Sequence, residues 1–182
     1  MAKMYRWKRA WQRFTDEFRG THRKVGFSGW NTRGYKRSQR AQDEAYWALI
    51  RVARDFGIKV YLKPDLGESR DSHGEKFRVG GHWDSRGNAV RMVYRSFPIL
   101  AHELAHAVDE FLGYRYRKPT GELVASGAGY MLVCASAGLV SPTADVAYAK
   151  RQGATERGFE ECEERILQVF REMATLINVP CD

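Results

Sequence analysis

The sequence feature that most limits the fold is an H-E-x-x-H motif, formed by His102, Glu103 and His106. The apolar residues around it recur at helical spacing, Ser96 is a candidate N-cap, and Gly113 can end the helix. Residues four apart lie on the same face of a helix, so the two imidazoles can converge on one cation with Glu103 beside them as a base. The alternative is a pair of ordinary histidines on a half-buried face. Because capping and periodicity agree with the motif, we predict a zinc-binding helix.

An active zinc site needs a third protein ligand and an open position, and the predicted helix supplies only two ligands. The candidates for the third are Glu122, Asp109, Glu110 and His82. Glu122 is favoured because it opens a second predicted helix whose small residues allow close approach, although a carboxylate there can also satisfy the helix dipole. Asp109 lies on the face of His102 but two turns along, which suits a hydrogen bond to a ligand better than ligation. His82, in a predicted strand beside Trp83, is interpreted as structural.

Length and composition indicate one globular domain, or one domain with a terminal extension. The 182 residues are 43% hydrophobic and 13% aromatic, which is sufficient for a packed core. No run approaches the roughly 18 apolar residues of a membrane helix, and no secretion signal is evident, so we expect a cytoplasmic protein. Cys134, Cys162 and Cys181 form no C-x-x-C pair, and we expect them to remain reduced.

The positive charge is concentrated at the N-terminus. Residues 1–40 hold twelve Lys and Arg against two acidic residues, a net charge of +10, whereas the whole chain carries +8. Aromatic residues at helical spacing predict a helix from about residue 4 to 18; they are Trp7, Trp11, Phe14 and Phe18. Two interpretations remain open. The segment can bind nucleic acid through its cations and stacking rings, or it can dock its aromatic stripe on the core and leave a basic face in solvent.

Periodicity and turn residues predict the remaining elements. In chain order they are a loop from Gly20 to Gly34, a helix from Ser38 to Gly57, a strand at 58–62, a loop at 63–75, a hairpin of strands 77–84 and 88–95, a helix capped by Thr120, and a helix from Thr155 to Asn178. Gly80 and Gly81 are unusual inside a strand. They indicate either a bend or bulge in the hairpin or the close approach of another backbone, such as an extended substrate that pairs with an edge strand.

The segment HELAHAVD, followed by GELVASGAGYML, resembles the zincin-like metallopeptidases of the ImmA/IrrE type and the C-terminal peptidase domain of ArdC-type antirestriction proteins. The resemblance covers about residues 57–150. It implies that His102, His106 and Glu122 bind zinc and that Glu103 is the general base. The chain departs from ArdC-like sequences at Ser126, where they often carry a second acid, and in its short basic arm, where they carry a longer region that binds single-stranded DNA.

We therefore predict an α+β protein with a basic aromatic N-terminal extension at 1–37 and a zincin-like metallopeptidase domain at 38–182. A small antiparallel sheet is expected to pack on the metal-binding helix, with further helices toward the C-terminus. The expected reaction is zinc-dependent hydrolysis of peptide bonds in an intracellular protein, in association with DNA, a phage or a mobile element. Tyr148 is the preferred candidate for stabilising the oxyanion, ahead of Tyr130 and His82.

The alternative function is a nucleic-acid-binding or antirestriction-type protein whose zinc site is mainly structural. The presence of Glu103 argues against this alternative, because a structural site has no need of a base.

Overall fold

The computed structural model describes residues 6–20, 32–138 and 141–179, and within these ranges the chain forms an α+β fold. The helices are α1 (Arg6–Phe18), α2 (Thr32–Asp55), α3 (Phe97–Phe111), α4 (Lys118–Ala137), α5 (Thr143–Arg151) and α6 (Glu156–Leu176). The strands are β1 (Lys59–Leu62), β2 (Glu68–Arg70), β3 (Lys76–Arg78), β4 (Gly81–Asp84) and β5 (Ala89–Met92). In the part of the chain that is described, no helix has both the length and the apolar character of a membrane span.

The main sheet has three strands in the order β1, β5, β4. The predicted hairpin is present, since β4 pairs antiparallel with β5 and places Gly81 opposite Met92. However, β1 pairs with β5 in parallel, with Lys59 opposite Ala89. The prediction of an antiparallel sheet is therefore wrong in this respect. The segment between β1 and β5 is long enough to return the chain for a parallel pairing, which a tight turn cannot do.

A second, two-stranded sheet lies within that segment. Strands β2 and β3 pair antiparallel, with Glu68 opposite Arg78. The sequence predicted a loop at 63–75 and one strand at 77–84, and both predictions are wrong in detail. The predicted strand is interrupted after Arg78, so β3 pairs with β2 while β4 joins the main sheet. We refer to β2 and β3 together as the β2–β3 hairpin.

Helix α3 begins and ends close to the predicted residues. The Ser96 hydroxyl accepts a hydrogen bond from the N–H of Ile99 at 3.4 Å, and Pro98 lies in the first turn, where its missing N–H costs nothing. Leu100 and Leu104 are buried against the sheet and the neighbouring helices. The sequence signals at the start of this helix are therefore confirmed.

Helix α4 runs through the centre of the molecule and contacts α1, α2, α3, α5 and α6. It begins at Lys118, with Arg117 at the N-cap and no side-chain capping bond, so the prediction that Thr120 caps it is wrong. The small residues explain its central position. A Cβ added at Gly129 would lie 3.2 Å from the backbone N and Cα of His102, so glycine lets α4 lie directly against the backbone of α3.

The aromatic stripe of α1 is part of the core. Trp7, Phe14 and Phe18 are buried, and the Phe18 ring stacks on Phe159 of α6 with 5.0 Å between centroids. Phe14 packs against Tyr130 of α4 at 5.7 Å. Each buried Phe contributes about 1.5–3 kcal/mol relative to an exposed one. Of the two interpretations of this segment, docking on the core is the one that describes α1.

Two further boundaries differ from the sequence predictions. Helix α2 starts at Thr32, so Ser38 lies inside it and is not its N-cap. The predicted boundary between the N-terminal extension and the domain, between residues 37 and 38, also falls within this helix.

Most of the predicted loop from Gly20 to Gly34 lies outside the described residues, as does Cys181. Cys134 and Cys162 are buried, and neither forms a disulfide with a described residue. Helix α6 starts as predicted, with the Thr155 hydroxyl accepting from the N–H of Gly158 at 3.1 Å.

Candidate metal centre

Three side chains converge where α3 crosses the start of α4. His102 and His106 lie one turn apart on α3, and their ring centroids are 4.8 Å apart. Glu122 of α4 faces both rings, with its Oε2 atom 3.3 Å from His102 Nε2 and 3.6 Å from His106 Nε2. One ligand atom from each residue lies within 4.8 Å of the other two, so the cluster could hold a metal ion. The structure thus brings together the three residues that the sequence favoured as ligands.

The donor set fits a divalent transition metal. Two imidazole nitrogens and one carboxylate oxygen are ligands that zinc commonly takes in catalytic sites, where a fourth position stays open. Glu122 and His106 are buried, and His102 is nearly so. A buried carboxylate between two imidazoles is a stable arrangement only if the charges compensate one another, either by a proton shared with the histidines or by a cation.

The electrostatics of the cluster reflect this compensation. Burial raises the pKa of Glu122, but the hydrogen bonds and charges of His102 and His106 outweigh it and hold that pKa far below its usual range. Burial lowers the pKa of His102, whereas the carboxylates of Glu122, Glu103 and Asp145 raise it to a net value above the usual one. Protons and a metal ion therefore compete for the same nitrogen atoms.

Glu103 is buried beside the cluster and faces strand β4. A Cβ at Gly81 would lie 2.6 Å from the Oε1 atom of Glu103, so only glycine at that position leaves room for the carboxylate. The close neighbours of Gly81 are the side chains of Ile99 and Glu103, and not another backbone as the two glycines had indicated. The packing fixes Glu103 between the ligand helix and the edge strand of the main sheet.

Two tyrosines flank the cluster. Tyr148 of α5 packs edge-on against the His102 ring, with 5.5 Å between centroids. Tyr116, just before α4, packs edge-on against His106 at 5.5 Å and donates a hydrogen bond to Glu122 Oε1 at 2.7 Å. Burial and the Glu122 carboxylate raise the pKa of both phenols, so each keeps its proton at neutral pH. Tyr148, the preferred oxyanion candidate, is thus at the site as an O–H donor.

The other candidates for the third ligand have different partners. Asp109 forms a two-pronged ion pair with Arg165 of α6, so the predicted hydrogen bond from Asp109 to a ligand is not formed. Glu110 Oε2 accepts from the indole N–H of Trp83 at 2.9 Å. His82 is exposed on β4 rather than packed as a structural residue, and it belongs to no ligand cluster of the described residues.

Tyr130 is not a candidate for stabilising an oxyanion. Its ring is buried against Phe14 in the core, and it does not line the cleft beside the cluster.

His106 Nδ1 is also buried and has no hydrogen-bond partner among the described residues. The ring of His106 is therefore held by packing against Tyr116 and by Glu122.

The cluster opens into a cleft of about 320 Å³. We distinguish two walls by the elements that supply the lining: α3, the start of α4 and the edge strand β4 form one, and the β2–β3 hairpin and the end of α5 form the other. The lining residues are Ser69, Phe77, Val79, Gly81, His82, Trp83, Ser85, His102, Glu103, His106, Glu110, Tyr116, Lys118, Glu122, Tyr148 and Gln152. A volume of this size accommodates one or two amino-acid side chains together with a backbone segment.

Sequence reasoning missed three residues of the site. Tyr116 lies in a basic aromatic linker, and its position directly before the helix of Glu122 is the only signal that could have found it. Asp145, in the first turn of α5, has a pKa that burial raises to about 6 and that His102 lowers in part. Gln152 lines the cleft at the end of α5. Nothing local in the sequence connects Asp145 or Gln152 with the motif, which ends 39 residues before Asp145.

Comparisons with protein-family models, with curated proteins and with solved structures found no match to this chain. The resemblance to ImmA/IrrE-type and ArdC-type proteins therefore stays a prediction from the motif residues alone.

Proposed function

We propose that the protein is a zinc-dependent metallopeptidase of zincin-like architecture that cleaves peptide bonds in a protein substrate inside the cell. The observation that carries the proposal is the convergence of His102, His106 and Glu122 at the floor of an open cleft, with Glu103 beside them. A structural zinc site is usually closed by four protein ligands. Here three potential ligands face a cleft, and a carboxylate that is not one of them lies next to it.

His102, His106 and Glu122 would hold the zinc ion. Zinc bound by such residues supplies Lewis acidity, which activates a water molecule and polarises the carbonyl group under attack. Glu103 would accept the proton of the attacking water at its carboxylate and pass it to the leaving amine. Tyr148, which keeps its proton at neutral pH, would donate a hydrogen bond to the oxygen that becomes negatively charged.

The position of β4 supports an extended substrate. In the described sheet order β4 is an edge strand, and Gly81, His82 and Trp83 line the cleft. The outer edge of such a strand offers backbone N–H and C=O groups to a peptide that adds to the sheet. A peptide bound in this way would pass Glu103, because Gly81 contacts that side chain.

The test separates metal binding from catalysis. We expect Glu122→Ala to lose zinc, measured by elemental analysis after dialysis, while Glu103→Gln retains about one zinc per chain. We expect Glu103→Gln to lower the rate of peptide cleavage by about 10²–10⁴, because an amide cannot accept the proton. Glu110→Gln is the matched control, since Glu110 also lines the cleft but pairs with Trp83. Wild-type zinc content in Glu122→Ala, or equal cleavage by wild type and Glu103→Gln, would reject the assignment.

The alternative is a nucleic-acid-binding protein. Within the described part of the N-terminal segment, the rings of Trp7, Phe14 and Phe18 are in the core, and Trp11 is partly buried and stacks on Phe159 at 5.5 Å. Lys8, Arg9 and Arg19 remain exposed on or next to α1, and cations of this kind contact phosphates without reading sequence.

A further inference from the structure

Gln152 is a buried polar residue in the cleft that the proposed chemistry does not use. It follows the last residue of α5, and its backbone N–H donates to the carbonyl groups of Tyr148 and Ala149 at 3.0 and 3.1 Å. The residue is only 2% exposed and is one of those that line the cleft. Its Oε1 atom is buried and has no hydrogen-bond partner among the described residues.

An unpaired amide oxygen in this position requires a hydrogen-bond donor from outside the protein, which is either a water molecule or a ligand. Buried polar groups nearly always have a hydrogen-bond partner, and a buried group without one destabilises the folded state. Gln152 is separated by one turn from Tyr148, which flanks the metal ligands. A side chain that reached Gln152 would therefore belong to a residue close to the peptide bond under attack.

The surroundings of Gln152 include apolar side chains of the β2–β3 hairpin. Phe77 of β3 packs edge-on against Tyr148 at 6.2 Å, and Val79 lines the same part of the cleft. The β2–β3 hairpin is fixed to the end of α5, because the Arg151 carbonyl accepts hydrogen bonds from the backbone N–H and the hydroxyl of Ser72 at 2.9 and 2.6 Å. The hairpin and the end of α5, which both line the cleft, are thus joined by hydrogen bonds.

Charge at the rim limits what can enter. Lys118 lines the cleft and donates to the Arg70 carbonyl at 2.7 Å, and the Arg151 guanidinium lies 5.7 Å from the Phe77 ring centroid. The Lys118 ammonium disfavours a lysine or arginine side chain of a substrate nearby, whereas the charge of Arg151 is compensated by Asp71. A carboxylate has no proton to donate to the oxygen of Gln152. A neutral amide has both an N–H donor and a C=O acceptor, which match the two ends of the Gln152 amide.

We propose that the space between Gln152, Tyr148 and the β2–β3 hairpin is a pocket for a glutamine or asparagine side chain of the peptide substrate. The proposal deepens the peptidase function proposed above and rests on it. Gln152 pairs with the substrate amide, while Phe77 and Val79 contact its methylene groups. Gln152 is thus a specificity residue and takes no part in proton transfer.

The first experiment measures binding without cleavage. The full chain carrying Glu103→Gln, with one equivalent of zinc added, is titrated with three probes: the N-acetyl methylamides of glutamine, glutamate and leucine. The side-chain amide signals of Gln152 are followed by NMR and assigned by their loss in Gln152→Leu. One net hydrogen bond predicts about tenfold tighter binding of the glutamine probe than of the leucine probe. Equal affinities, preference for the glutamate or leucine probe, or no shift of the Gln152 signals would overturn the proposal.

The second experiment maps cleavage. A randomised peptide library is digested by wild type, Gln152→Leu and Gln168→Leu, and the cleavage sites are read by mass spectrometry. Gln168 is the matched control, because it is an exposed glutamine that pairs with Tyr114 and does not line the cleft. We expect wild type and Gln168→Leu to enrich glutamine and asparagine at one position beside the cleaved bond, and Gln152→Leu to replace them with leucine and methionine.

The two experiments fail independently. Selective binding of the glutamine probe without any cleavage of the library would reject the peptidase function and leave the pocket. Cleavage with the same preference in wild type and Gln152→Leu would reject the pocket and leave the peptidase function.

Discussion

The two walls of the cleft are held in place by different physical means. The wall that carries the candidate ligands consists of α3 and α4, which are largely buried. The two helices pack so closely that a Cβ at Gly129 would lie 3.2 Å from the backbone of His102. The facing wall, the β2–β3 hairpin, has strands of only three residues with mostly exposed side chains. It is held by polar contacts, in which Asp71 accepts from the N–H groups of His73 and Glu75 and pairs with Arg151.

The difference separates two requirements of the site. Ligand atoms must keep their positions to within a fraction of an ångström, and close packing of buried helices provides this rigidity. A wall that contacts only the substrate can be held by a few hydrogen bonds, and its residues can be substituted without changing the packing of the core. Substitutions in the first wall should therefore affect folding and metal binding together, while those in the second should affect peptide binding alone.

The largest loss of stability is expected when the ion pair between Asp109 of α3 and Arg165 of α6 is broken. Arg165→Met leaves the buried carboxylate of Asp109 without its partner, and removal of one member of such a pair typically costs about 3–5 kcal/mol in the free energy of unfolding. Chemical denaturation measures this loss. The matched control is Arg157→Met on the same helix, whose pair with Glu161 is exposed and is worth less than about 0.5 kcal/mol.

A double variant sharpens this prediction. Replacing both residues, as Asp109→Leu with Arg165→Met, removes the unpaired charge, and we expect it to recover at least half of the lost stability. A double variant as unstable as the sum of the two single variants would show that the pair does not couple α3 to α6.

A smaller effect is expected where α3 and α4 meet. Gly129→Ala places a methyl group against the backbone of His102, and we expect a loss of about 1–2 kcal/mol after the gain in helix propensity of about 0.5–1 kcal/mol is included. Zinc affinity should fall as well, because the contact displaces a ligand. Isothermal titration with zinc measures it. In the control Gly158→Ala, the new Cβ meets only the Thr155 hydroxyl, and wild-type zinc affinity is expected.

The smallest effect on global stability is expected in the hairpin wall. Burial raises the pKa of Asp71, but hydrogen bonds from Glu75, His73 and Arg151 outweigh it, and the net pKa lies below the usual value. A carboxyl group whose pKa is lowered by folding stabilises the folded state above its unfolded pKa of about 4, and that contribution is lost as the pH falls through the lower folded value. The hairpin should therefore open in acid.

Hydrogen exchange at pH 5 and pH 3 tests this prediction. We expect the amide groups of the hairpin in wild type to exchange faster at pH 3 than intrinsic rates explain, and Asp71→Asn to show fast exchange at both pH values. The buried amide groups of α4 serve as the internal control and should stay protected in Asp71→Asn at pH 5. Loss of their protection in that variant would show that the hairpin and the core open together, which contradicts the prediction that the hairpin opens independently.

The ligand helix was predictable from local sequence. Its cap at Ser96, the spacing of His102 and His106, and the glycine that follows it all lie within a few turns, and each acts over short distances. The stripe of Trp7, Phe14 and Phe18 likewise follows from periodicity, but the sequence left open whether it faces the core. The parallel pairing of β1 with β5 and the β2–β3 hairpin were not predicted, because strand partners lie far apart in the chain and short strands have weak patterns.

By itself, the sequence determined that two imidazoles and a carboxylate lie on one amphipathic helix, because helical periodicity depends only on neighbours along the chain. Only the tertiary structure decided that Glu122, and not Asp109, completes the ligand cluster, since Arg165 of a distant helix binds Asp109. It also brought Tyr116, Tyr148 and Gln152 to the same cleft. These positions depend on how helices pack across the core, and packing joins residues that no local pattern relates.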